Sequence, residues 1–141
     1  MKTERIGITW QLSDGMGWGV FGLNLALELI ANGPCQPLLL MPPAILDFKE
    51  DLKRTLAPLI EEQAILLAHI EKVAGQVTLK EAACIFAFGN EFIGAPINQM
   101  VRGHANIGFI FYENTHFDTA ARERAAFLDR ILVGSSWNRD N

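Results

Sequence analysis

The chain has 141 residues, half of them hydrophobic and a fifth charged. That is one domain, long enough to bury about two thirds of the surface its unfolded chain would expose, and too short for a second full one. With a formal net charge of −4, the composition argues against a disordered chain and against the basic footprint of a nucleic-acid binder.

In chain order, the opening apolar stretch is cut by Gln11, Ser13 and Asp14, far short of a signal-peptide core. Ile6 to Gln11 reads as a first strand, β-branched and aromatic-rich, stopped by the glycine loop SDGMGWG. Val20 to Ala31 carries apolar residues at helical spacing on more than one face, and Gly33 with Pro34 marks its end. Asn24 and Glu28 keep it from being a membrane span, and no other segment approaches ~20 continuous apolar residues. Pro37 to Met41 is a short apolar run of the buried parallel type, closed by two prolines. Residues 48–73 are helical in composition, with Pro58 expected to divide them into two helices. Ala83 to Phe88 and Ile107 to Tyr112 read as the third and fourth strands, with a short helix INQMVR between Pro96 and Gly103. Asp118 is placed to cap a helix through AARERAAFLD, and Arg130 to Val133 is the fifth strand.

Strands apolar on both faces, alternating with helices, predict a Rossmann-like α/β domain over 1–141: an open parallel sheet of about five strands with helices on both faces. The commonest arrangement is the order 3-2-1-4-5, with a crevice between strands one and four. Ligands of such sheets bind at the carboxyl ends of the strands. The unusual polar residues fall there: Ser13 to Gly19, Gly89-Asn90-Glu91, Glu113-Asn114-Thr115-His116, and Gly134 to Asn138.

In the first loop, glycines would let backbone amides approach a phosphate at the positive end of the following helix; alternatively they only make a tight turn. GWGVFG, from Gly17 to Gly22, satisfies the dinucleotide fingerprint G-x-G-x-x-G, but it starts several residues after the strand, and the second strand ends without an acidic residue for a ribose. No G-K-[ST] follows, which excludes a P-loop. Glu113 and His116 could form an acid/base or hydroxyl-binding pair, or simply be solvated residues at a helix entry. Trp18 and Trp137 stand at the ligand edge as a possible aromatic wall, against the usual core role of tryptophan. His69 and His104 read as surface residues, and no two histidines have metal-ligand spacing. Cys35 and Cys84 show no disulfide or metal pattern, so reduced, buried thiols and a cytoplasmic location are expected.

The segments ITWQLSDGMGWGVFGLNLALEL, FYENTH and, above all, LDRILVGSSWNRD resemble the N-terminal, acceptor-side domain of a GT-B retaining glycosyltransferase of the glycogen-synthase and mannosyltransferase-like type. The resemblance spans nearly the whole chain. It implies transfer of a sugar from a nucleotide-diphosphate donor to an acceptor, with no separate cofactor and no metal. It implies that Gly15, Gly17 and Gly19 face the donor phosphates and that Glu113 and His116 act in catalysis; from their place in the loops at the ligand edge, Ser135 is expected to contact the donor and Asp14, Trp18, Asn90 and Trp137 the sugar or acceptor. The family's second domain, which holds most of the donor nucleotide, has no counterpart here, so a partner chain or absent domain is implied and no turnover is expected from the chain alone. Two other readings stand beside it. One is a self-contained nucleotide or dinucleotide module, the other a non-catalytic partner subunit, including a homodimer, that pairs through its crevice edge and apolar first helix.

Overall fold

A computed structural model describes residues 4–15, 17–47, 49–113 and 116–140. Five parallel strands form its main sheet: β1 (Arg5–Ile8), β2 (Gln36–Leu39), β4 (Ala82–Phe88), β6 (Asn106–Ile110) and β7 (Arg130–Val133), in the spatial order β2-β1-β4-β6-β7. The helices are α1 (Gly17–Asn32), α2 (Glu50–Ile70), α3 (Ile97–Met100), α4 (Thr119–Ala125) and α5 (Ser136–Asp140). A second, two-stranded parallel sheet pairs β3 (Val77–Leu79) with β5 (Val101–Gly103).

The side chains of the main sheet alternate between two cores, as strand periodicity requires. On one face Ile8, Leu39 and Ile85 pack with Leu23 and Ala26 of α1 and Leu56 of α2. On the other, Leu38, Leu40, Phe86, Phe88 and Ile110 pack with Ile70, Ile97, Val101 and Ala121. Helices therefore cover both faces, and the parallel α/β class expected from the sequence is observed. The expected strand order is not. The third expected strand, β4, pairs with β1 on the side away from β2, so the sheet runs 2-1-3-4-5 in the order of the expected strands. The chain from Leu40 to Glu81 is long enough to carry it back across β1, and α2 supplies apolar residues to both cores on the way: Leu56 to one and Ile70 to the other. The reversal point therefore lies between β1 and β4, and the fourth expected strand is one place further out.

Three local expectations are also corrected. Gly17, Trp18 and Gly19 belong to the first turn of α1 and not to the loop before it. Pro58 does not divide α2, because it faces solvent while Leu52, Leu56, Leu59, Ile60, Leu66 and Ile70 keep one apolar stripe running past it. The proline forfeits one backbone hydrogen bond without interrupting that burial. The INQMVR helix stops at Met100, where β-branched Val101, fully buried, pairs instead with Val77.

Candidate functional site

The loop leaving β1 is fixed by its own packing. Its backbone continues beside the loop after β2, with Ala44 N–H donating to Leu12 O at 2.8 Å and a parallel bridge between Ser13 and Ala44. The exposed Asp14 carboxylate accepts from Leu46 N–H at 2.9 and 3.0 Å and from Asp47 N–H at 2.8 Å. The amides of Asp47 and Leu46 hold its pKa below the ordinary aspartate value. Asp14 thus ties two loops together on the β2 side, away from the reversal point.

The glycines divide into two kinds. A Cβ at Gly19 would overlap Ser13 Oγ and stand 2.7 Å from Ser13 Cβ and N, and one at Gly22 would stand 2.5 Å from Trp10 Nε1. These two let α1 close onto the β1 exit, where Trp10 Nε1 donates to Trp18 O at 2.8 Å. The fingerprint letters GWGVFG are therefore helix, with two of their three glycines taken up by packing. Gly15 and Gly17 meet nothing within 4 Å of an added Cβ, so packing does not require them. Trp18 lies on the sheet face, tilted against Phe111 at 5.1 Å and edge-on to Phe109 at 6.0 Å.

The exit of β4, next to the reversal point, holds the most constrained backbone. Glu91 and Phe92 have φ of 61° and 57°, consecutive left-handed residues that carry side chains, at a cost of order 1–3 kcal/mol each. Burial of Phe92 and a hydrogen bond from Arg124 Nε to Glu91 O at 2.7 Å hold them there. Arg124 also stands 3.8 Å from the Glu91 carboxylate. Glu91 was expected in a polar loop at the carboxyl edge, but Phe92 was not singled out, and nothing in the sequence distinguishes a strained Glu-Phe pair from an ordinary loop. Asn90, which was singled out, accepts from Glu113 N–H through its Oδ1 at 3.2 Å and so joins the β4 exit to the β6 exit. Glu113 and His116 are both exposed; Asn114 and Thr115 between them lie outside the described residues.

At the β7 exit, Ser135 Oγ accepts from Asn138 N–H at 3.1 Å and caps α5. Buried Asn138 donates through Nδ2 to Tyr112 O at 3.0 Å and accepts the Tyr112 hydroxyl on its backbone carbonyl. Trp137 is half exposed, its ring 5.9 Å from that of Tyr112. The SSWN segment thus anchors α5 to the end of β6.

The structure therefore brings together Asn90, Glu91 and Glu113, sets Trp137 beside Tyr112 with Ser135 capping the helix that holds it, and keeps Asp14 on the β2 side. Among the described residues, four of the surface cavities are lined by residues other than Gly15, Trp18, Glu113 and His116. Cys84 is buried, and burial pushes its thiol up to about 12, which removes it as a nucleophile at neutral pH. Both cysteines are free. Among the described residues no group of acidic, histidine or cysteine side chains could hold a metal ion, and no helix is long and apolar enough to cross a membrane.

Fold and site together define an open parallel α/β domain with its polar loops on the carboxyl edge. No protein-family model, curated protein or solved structure matches the chain.

Proposed function

We propose that this chain is the acceptor-side half of a retaining, nucleotide-sugar-dependent glycosyltransferase, presenting a sugar acceptor on the carboxyl edge at the exits of β4 and β6. The observation that carries the reading is the strained Glu91-Phe92 pair beside the reversal point, coupled through Asn90 to Glu113. Strain is retained where the surrounding structure over-determines a backbone, and such places cluster at ligand-binding positions. The resemblance of FYENTH and LDRILVGSSWNRD to glycosyltransferases supplies the chemistry. In this reading Glu113 and His116 bind acceptor hydroxyls and handle the transferred proton, Asn90 fixes the Glu113 backbone, and the amides of Gly15 and Gly17 face the donor phosphates. Ser135 and Trp137 act chiefly by positioning α5 at the rim. The donor nucleotide is held largely by a second domain or partner chain.

A dinucleotide module is disfavoured because the fingerprint starts several residues after β1 and β2 ends without an acidic residue for a ribose. The two readings separate by titrating the ¹⁵N-labelled chain with a panel of mono- and disaccharides, sugar nucleotides and NAD(P). Saccharides should move the amides of Asn90, Glu91, Glu113 and His116, and Glu113→Ala should abolish the response, with no sugar-nucleotide turnover by the chain alone. Saturable micromolar binding of NAD(P) without a saccharide response would overturn the proposal.

A further inference from the structure

A cavity of about 500 Å³ lies between α4 and the β6–β7 edge, walled by Phe92, Ile110, Phe117, Ile131 and Val133. Its volume falls within the ~300–1,000 Å³ of small-ligand sites. Tyr112 and Asn138 also line it, but the hydroxyl and the side-chain amide of this pair are directed at each other's carbonyls, so they leave the wall essentially apolar.

Its charges set it apart. The cavity of about 760 Å³ at the amino edge of the sheet mixes Glu61, Glu62 and Glu81 with Arg5 and Lys80. The cavity beside Asn98 sets Glu123 among Arg102 and Arg124, and the one on the α2 surface mixes Glu50 and Glu61 with Lys53 and Arg54. The α4 cavity alone among these four carries only cations, Arg122 and Arg139, on a chain whose net charge is −4. Arg139 holds Asp140 at 2.8 Å, an exposed pair of little worth. Arg122 is exposed and has no carboxylate partner among the described residues.

We propose that this cavity binds the apolar end of an amphipathic anion, with Arg122 receiving its carboxylate or phosphate. An apolar wall rejects a bare sugar or inorganic ion, because it offers no partner for their polar groups. An unpaired guanidinium at the mouth selects against a cationic amphiphile and gives an anionic head group charge-assisted hydrogen bonds. The inference stands apart from sugar transfer, since none of Asn90, Glu91, Glu113 and His116 lines this cavity.

The probes are decanoate, decyl phosphate, decylammonium and inorganic phosphate, each below its micellar concentration, followed by calorimetry and amide shifts. Decanoate and decyl phosphate should bind and move the amides of Ile110, Tyr112, Phe117 and Ala125, and the preferred one names the head group. Decylammonium and inorganic phosphate should each bind about tenfold or more weakly, and Arg122→Ala should weaken both decyl anions by about tenfold. Ile131→Glu, at a half-exposed wall position that the fold tolerates, should remove binding, while the distant Arg54→Ala leaves it unchanged. Decylammonium binding as tightly as decanoate, or inorganic phosphate as tightly as decyl phosphate, would overturn the proposal. So would wild-type affinity in both Arg122→Ala and Ile131→Glu, or shifts centred on Phe111 and Leu132.

Discussion

Gly19 and Gly17 are two residues apart in the first turn of α1, yet they answer to different constraints. Gly19 has the Ser13 backbone 2.7 Å from where a Cβ would stand, and neither the β1 exit nor α1 can give way without disturbing the Trp10–Trp18 hydrogen bond. Gly19→Ala should therefore destabilise the fold by about 1–3 kcal/mol, the ordinary range for overpacking. Gly17 meets open space, so Gly17→Ala should leave stability within about 0.5 kcal/mol of the parent. Urea denaturation of the two variants checks both. If Gly17→Ala proved as costly as Gly19→Ala, the division of these glycines into packing and open positions would be wrong. The sequence displayed the glycines without separating these roles, because the distinction depends on which atoms lie across from each Cα.

At the scale of elements, α5 shows how a segment singled out for chemistry can act through anchoring. It has five residues, far below the length at which a helix holds itself in water. It persists because Ser135 caps it and Asn138 is clamped to Tyr112. Removing the Asn138 side chain leaves the buried Tyr112 carbonyl without that donor, at a cost of about 1–3 kcal/mol; removing the Ser135 cap costs about 1 kcal/mol. In Asn138→Ala, amide exchange across residues 136–140 should approach that of an unstructured peptide while β4 keeps its protection, with Ser135→Ala giving a smaller effect. Unchanged exchange in Asn138→Ala would mean that other contacts secure α5. The Asp118 cap of α4 was legible because its function is local: its carboxylate accepts from Ala121 N–H at 2.7 Å, three residues on. The clamp on Asn138 reaches back 26 residues, and no local pattern announces it.

For the whole molecule, the five strands of the main sheet were legible as strands, while their lateral order and the separate β3–β5 pair were not. Buried parallel strands such as PLLLM and ACIFAF are apolar on both faces, so their composition marks them as central without saying which neighbour each takes. The placement of β4 beside β1 depends on the long excursion through α2 and β3, whose register is a tertiary property. The same order leaves one surface open. Phe109 pairs in register with Leu132, which puts both on the α1 face, yet Phe111 and Leu132 remain 49% and 43% exposed. Trp18 and Phe21 reach Phe109 from α1, and Trp18 reaches Phe111, but their cover stops short of β7. Ile131, on the opposite face of β7, is 47% exposed, so this strand offers apolar side chains on both faces as well as an unpaired backbone edge. The other edge strand, β2, is interrupted by Pro37, and three of its four residues are buried. Soluble domains rarely leave an apolar edge strand exposed on both faces, because it templates association. The isolated chain should therefore self-associate through β7, with a weight-average mass in sedimentation equilibrium that rises with concentration. Leu132→Lys places a charge on the exposed strand without touching either core and should return the chain to monomer with its melting temperature unchanged. Persistence of the dimer in Leu132→Lys would move the contact elsewhere, and a parent chain that stays monomeric at all concentrations would show that the aromatic cover from α1 suffices.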